Sequence, residues 1–171
     1  MTNEFSYVTF STNMGWIGIL GSAKGLRYIT LPEHSAREAQ RQLLKSKIHN
    51  ATWSLQVFND IVQRFVLYFL GHKVLFPDEL DFSGATSFQR RVWEEARLIP
   101  YGETRSYAWV ARQVGKPKAA RGVGQAMASN PFPIIIPCHR VITSQGKLGG
   151  FGGGLDMKKQ LLALEAAAST G

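Results

Sequence analysis

The stretch Tyr107-Ala108-Trp109-Val110-Ala111-Arg112-Gln113-Val114-Gly115-Lys116-Pro117-Lys118-Ala119-Ala120-Arg121-Gly122-Val123-Gly124-Gln125-Ala126-Met127 holds two short helical patterns back to back. Tyr107, Val110, Ala111 and Val114 recur at helical spacing, and Gly115-Lys116-Pro117-Lys118 breaks the run. Ala120, Val123, Gly124 and Met127 then repeat it, so the spacing predicts two helices joined by a turn of about four residues, as in a helix-turn-helix. Any helical corner shares this pattern, but the second helix is unusual. Ala119, Ala120, Gly122, Gly124, Ala126 and Ala128 leave it almost without bulk, which is poor for reading base edges in the major groove and good for close approach to a backbone or narrow groove. Arg121 is its one long charged side chain. A single inserted side chain is how minor-groove binders and base-flipping proteins disturb a stack, although a solvated arginine would look the same.

Upstream, Thr86 with Gln89 three residues later matches a capping box, predicting a helix from Ser87 to about Leu98 that ends at Pro100-Tyr101-Gly102. The first third reads differently. Phe5 to Ser11, Trp16 to Leu20 and Leu26 to Leu31 are β-rich runs separated by turn residues. Helical spacing follows at Ala36, Ala39, Gln40, Leu43 and Leu44, and again at Phe58, Val62, Phe65, Val66 and Phe69, with Gly71 as a stop. Sheet followed by helices indicates an α+β unit. Pro77 to Gly84 is rich in acids, proline, serine and glycine, and suits a connector. The expected division is therefore an N-terminal α+β domain over 1–80, a connector over 81–86, and a second domain over 87–171.

Net charge sharpens that division. The chain carries +8 in total, but residues 1–84 hold eight Lys and Arg against seven Asp and Glu, whereas residues 85–171 hold twelve against five. Nearly all the excess lies in the second half, which points to a polyanion partner bound through phosphate contacts. With 44% hydrophobic residues the chain has the composition of an ordinary globular protein. One cysteine excludes an internal disulfide and argues against a thiolate zinc site, so a reducing compartment, a cytoplasmic location and no metal are expected. No apolar run is long enough to cross a bilayer. Gly149-Gly150-Phe151-Gly152-Gly153-Gly154 fits neither dinucleotide nor P-loop spacing, so it reads as a mobile or closely approached loop.

The lone cysteine lies in Pro137-Cys138-His139-Arg140-Val141, after a run, Ile134-Ile135-Ile136, that reads as a buried strand. Free cysteine often packs as a small hydrophobe. Set beside His139 and Arg140, however, a thiol is expected to have a lowered pKa and to serve as a nucleophile. Lys158, Leu161, Leu162 and Glu165 share one helical face, which the leucines should turn inward. An acid there, close to a helix C-terminus, makes sense with a cationic partner such as His139, and otherwise as a surface glutamate.

Taken in order, Tyr107, Lys116 to Met127, Asn130-Pro131 and Pro137 to Ile142 resemble the O6-alkylguanine-DNA alkyltransferases. The match runs from about Ser87 to Glu165 with motif spacing intact; over residues 1–80 it rests on general pattern. The resemblance implies a ribonuclease H-like α+β domain without that enzyme's activity, followed by a mainly helical domain carrying a winged helix-turn-helix. It implies minor-groove binding to double-stranded DNA, rotation of the alkylated guanine out of the duplex, and irreversible transfer of the alkyl group to cysteine. Cys138 then resembles the acceptor, His139 the base acting through a water, Glu165 the carboxylate orienting it, and Asn130 the hinge. Tyr107, Val141, Gly152 and Lys158 fall among substrate contacts. Arg121 matches the residue that fills the vacated stack, with Ala119, Ala120, Gly124, Ser144 and Gln89 completing the expected DNA surface. No cofactor is implied, and the chain is expected to act as a monomer, with cooperative coating of DNA left open.

Two departures stand out: Phe151 replaces a tyrosine found in some members, and Gly152 a serine, so only a backbone contact is available there. The cysteines that hold zinc in some vertebrate relatives are absent. Three other readings stay open at this level: a non-catalytic lesion-binding sensor, a helix-turn-helix regulator with a reactive cysteine, and a Cys-His hydrolase.

Overall fold

Val8 and Phe10 alternate with more exposed neighbours, and opposite them Ile19 and Ile17 are buried, so the first two apolar runs close as an antiparallel pair. The structure, a computed structural model, describes residues 5–45 and 50–169, and the chain separates into two units with the division after Phe82.

In the first unit β1 (Phe5–Thr12), β2 (Gly15–Ser22) and β3 (Gly25–Ile29) form a meander, and β4 (Ala51–Trp53) adds parallel to β1, giving the order β3-β2-β1-β4. β2 is buried continuously from Ile17 to Gly21 because helices cover it. Helix α1 (Ala36–Leu44), capped by Ser35, comes so close at Gly18 that a Cβ there would lie 2.9 Å from the Leu43 side chain. Helix α2 (Leu55–Phe69), capped by Ser54, buries Phe58, Ile61, Phe65, Tyr68 and Phe69. Each such side chain contributes about 1.5–3 kcal/mol of apolar burial.

The acidic, proline-containing segment is more than a connector. Leu26 N donates to Glu79 O at 2.9 Å, Asp81 N to Leu26 O at 2.7 Å, and Ser22 Oγ to Asp81 Oδ2 at 2.6 Å. The open edge of β3 thus recruits residues 79–81, and Asp81 is buried in the first unit.

The second unit begins with α3 (Ser87–Arg97), whose capping box from Thr86 and Gln89 is formed as the sequence indicates. After β5 (Arg105–Ser106) come α4 (Tyr107–Gln113) and α5 (Ala120–Ala128), the two helices of the helix-turn-helix. Gly115 adopts φ +76° to end the first. Val110, Ala111, Val114, Val123, Ala126 and Met127 are buried, and the Trp93 indole donates to Ala126 O at 2.8 Å, tying α3 to α5. A 3-10 turn at Cys138–Arg140, β6 (Val141–Ile142) and α6 (Leu155–Ser169) complete the unit. Among the described residues no helix is long and apolar enough to cross a membrane.

Ile134-Ile135-Ile136 corrects the expectation of a strand. The three are buried but form a tight turn, with Ile136 N donating to Phe132 O at 2.8 Å and Ile134 at φ +76°. Pro131, Pro133 and Pro137 deny the segment the N–H groups a ladder needs. A left-handed β-branched residue is strained, and it lies four residues before the cysteine.

Candidate active site

The two-residue parallel pairing of β5 with β6 sets Arg105 opposite Val141 and Ser106 opposite Ile142. Tyr107, first in α4, is thereby held beside the chain that has just left Cys138. Asn130 fastens the other side of the cysteine: its Nδ2 donates to Ile136 O at 2.9 Å, its Oδ1 accepts from Phe132 N at 2.8 Å, and its side chain also hydrogen-bonds the Cys138 sulfur.

A cleft of about 710 Å³ opens over these elements, and Cys138, only 7% exposed, contributes to its lining. Tyr107, Ala120, Arg121, Gly124, Ser144 and Gly152 line it as well, so most of the expected substrate and DNA residues surround one space. Phe151, noted as a departure from the family pattern, and Met127 of α5 join them, and Thr143 does so without having been singled out from the sequence. Two expected DNA residues do not line the cleft. Ala119 is the residue before α5, and the Gln89 side chain is engaged by the Thr86 amide at 2.9 Å and by Ser129 Oγ at 3.2 Å.

Behind the cysteine lies a buried ionic cluster. His139 Nε2 is 2.6 Å from Glu165 Oε2, and both side chains are essentially inaccessible. Arg140 reaches the same carboxylate twice, Nε to Oε1 at 2.8 Å and Nη2 to Oε2 at 3.0 Å, while Gly102 N donates to Oε1 at 3.2 Å. Burial alone would raise the Glu165 carboxyl, but the hydrogen bonds from His139 and Arg140 hold it well below the usual carboxylate range. Glu165 is therefore an anion that only accepts, so Nε2 is the donor in the His139 contact. Burial lowers the His139 pKa, reinforced by Arg140 and Lys158 and opposed by Glu165, which leaves the imidazole neutral with its lone pair on Nδ1.

Lys158 is the second buried cation. Its Nζ donates to the carbonyls of Val141 at 2.7 Å, Gly150 at 3.2 Å and Leu148, and approaches Tyr107 Oη at 3.4 Å. The expected inward face of α6 is thus realised for Lys158, Leu161 and Glu165, all buried, while Leu162 is only half-buried at its margin. Lys158 holds the glycine loop against the site, and at Gly149 (φ +72°) a Cβ would lie 2.7 Å from Tyr107 Oη. Burial lowers the Lys158 pKa to about 8, against the pull of Cys138.

One electrostatic expectation is reversed. Burial pushes the Cys138 thiol above its ordinary value, and the Asn130 hydrogen bond, the Lys158 charge and nearby backbone amides recover only part of the cost. The adjacent charges counted in the sequence are present, but Arg140 is turned toward Glu165, and His139 is neutral. The resting residue is a thiol.

The family profile for the 6-O-methylguanine DNA methyltransferase DNA binding domain matches residues 87–167. A methylated-DNA–protein-cysteine methyltransferase of Methanosarcina acetivorans is 38% identical over 161 residues, 94% of this chain and 98% of that protein. The chain belongs to the methylated-DNA–protein-cysteine methyltransferase family. A methyltransferase of that name from Mycolicibacterium paratuberculosis is 54% identical over 110 residues, 64% of this chain, and the chain spans 66% of that relative's length, just under two thirds. The crystal structure of Mycobacterium tuberculosis OGT in complex with DNA is similar with a TM-score of 0.81 and 40% identity, over 95% of this chain and 94% of that one. The alkyltransferase resemblance carried by Tyr107 to Ile142 and the α+β class are both confirmed.

For this methyltransferase family member, Arg140 is the residue that sequence reading missed. It was visible beside His139, but nothing in the spacing tells which of the nearby acids it binds. Its charge in a buried segment was the available signal, since a buried guanidinium requires a partner.

Proposed function

We propose that the protein repairs alkylated double-stranded DNA by transferring the O6-alkyl group of guanine to Sγ of its own Cys138, once per molecule. The observation that carries this reading is the position of the sulfur: nearly buried, yet lining a cleft whose other wall is the small-residue helix α5 with Arg121. A base rotated out of the stack fits such a space, and a helix of alanines and glycines permits the close approach that minor-groove entry needs. Arg121, Lys116 and Lys118 are exposed and supply charge for phosphates, with Arg121 taking the place of the extruded base.

Transfer is an in-line displacement at the alkyl carbon. The sulfur forms the new S–C bond, the O6–C bond breaks, and its electron pair stays on the guanine. A raised thiol pKa means that the thiolate has to be generated on demand. Neutral His139 accepts the thiol proton at Nδ1, through a water, and Glu165 stabilises the resulting imidazolium. The departing guanine anion takes a proton from the Tyr107 side, where Lys158 backs the hydroxyl at 3.4 Å. The step leaves His139 protonated and Tyr107 short of one proton, and relay of that proton through water from one to the other restores both, so transfer is neutral overall. The thioether has no leaving group that water can displace readily, hence the single turnover.

The test is stoichiometric. A duplex carrying O6-methylguanine within a restriction site that the lesion blocks is titrated with protein, and cleavable DNA is counted. The reading requires restoration to saturate at one lesion per protein molecule, and continued turnover would refute it.

A further inference from the structure

We infer that Arg140 is a positioning residue for the transfer reaction: by binding both oxygens of Glu165 it makes His139 share the carboxylate with a second side-chain donor, and so keeps His139 as a neutral base. The inference rests on the proposed transfer to Cys138 and adds a residue to it.

A histidine 2.6 Å from an otherwise isolated buried carboxylate would be driven toward the imidazolium form, because the ion pair offsets the cost of burying either charge. An imidazolium cannot take a proton from a thiol. Arg140 changes this balance. Its Nε and Nη2 occupy Oε1 and Oε2, so the carboxylate is already paired before His139 contributes anything. The remaining Nη1 donates to Ile99 O at 2.8 Å, just beyond the C-terminus of α3, and the guanidinium lies over the Tyr101 ring at 5.6 Å. All three nitrogens are in use, and the fork cannot swing away from Glu165 without breaking its anchor to Ile99. A lysine, one point charge on a flexible stem, cannot reproduce this pattern.

The charged and titratable groups around His139 come from every element packed on it. Glu165 and Lys158 belong to α6, Cys138 and Arg140 to the 3-10 turn, and Tyr101 to the turn after α3. Arg140 and Lys158 oppose protonation of the ring, and Glu165 favours it. Removing the guanidinium leaves Glu165 to act on His139 with Lys158 as the only remaining cation among these groups.

Nitrogen NMR of the imidazoles in the full chain tests this without DNA. In the wild type, His139 should show a neutral ring with hydrogen on Nε2, unchanged between about pH 6 and pH 8. In Arg140→Gln it should titrate in that interval, an upward shift of at least one pH unit, and transfer should slow by about tenfold at pH 6 and recover by about pH 8.5. Arg140→Lys should restore the neutral ring in part. An imidazolium at His139 in the wild type at pH 7 overturns the inference, even if the variants fail to fold. So does an Arg140→Gln variant that folds and leaves the His139 titration unchanged. Absence of alkyl transfer in the wild type would sink the proposed function while leaving the NMR result to stand on its own.

Discussion

Asn130 Nδ2 lies 2.9 Å from the carbonyl oxygen of Ile136, two residues before Cys138, while Oδ1 of the same side chain accepts the Phe132 amide at 2.8 Å. One amide therefore closes the buried turn that presents the cysteine and also reaches its sulfur. Asn130→Ala removes both hydrogen bonds, while Ile136 O keeps its bond from Cys138 N at 2.8 Å, so a loss of about 1–3 kcal/mol is expected in urea unfolding. A variant as stable as the wild type would show that the turn holds itself.

The cysteine of the resting protein should react slowly at neutral pH. Its thiol is raised above an ordinary value of 9.0 by burial, so the thiolate fraction grows about tenfold for each pH unit through the neutral range. Alkylation by iodoacetamide, followed by mass, should climb from pH 7 through pH 9 without levelling. A plateau near pH 7 would mean that the neighbouring charges win over burial after all.

Glu165 ties stability to acid. Its folded-state pKa is depressed below the ordinary 4.5, so its contribution is fully present above about pH 4.5 and is lost as pH falls through the folded value. Glu165→Gln should cost about 3–5 kcal/mol at neutral pH, because it leaves Arg140 buried without its counter-charge. The gap to the wild type should narrow steadily below pH 4.5. Urea midpoints collected across pH for both proteins check this, and a gap that stays constant down to pH 3 contradicts it.

Arg121→Ala should separate DNA engagement from chemistry. Arg121 is exposed on α5 and lines the cleft, so Arg121→Ala should leave stability within about 0.5 kcal/mol of the wild type. Transfer from duplex DNA should slow by about ten- to a hundredfold, equivalent to about 1.4–2.8 kcal/mol, whereas reaction with free O6-methylguanine base should be unaffected. Equal losses on both substrates would place the arginine in the chemistry instead.

Much of this arrangement is legible in the sequence because it depends on local periodicity. Tyr107, Val110, Ala111 and Val114 mark α4, Ala120 to Met127 mark α5, and Thr86 with Gln89 marks the start of α3, each through contacts within a few residues. The inward face of α6 is legible for the same reason. What escapes is decided at long range or by very few residues. β4, β5 and β6 are two or three residues long, too short for an alternation to show. Ile134 to Ile136 imitate a strand, and only the flanking prolines reveal the turn. The direction of the Cys138 shift depends on burial, and the partner of Arg140 lies 25 residues away on α6.

Transfer to Cys138 changes the mass of the protein itself. Intact and peptide masses would be recorded after mixing with duplex DNA containing O6-methylguanine, beside Cys138→Ser. A gain of one CH2 is expected on the peptide holding Cys138, complete at one per molecule and absent in the variant. Tight binding of the damaged duplex with no change in mass would contradict it and identify a lesion sensor.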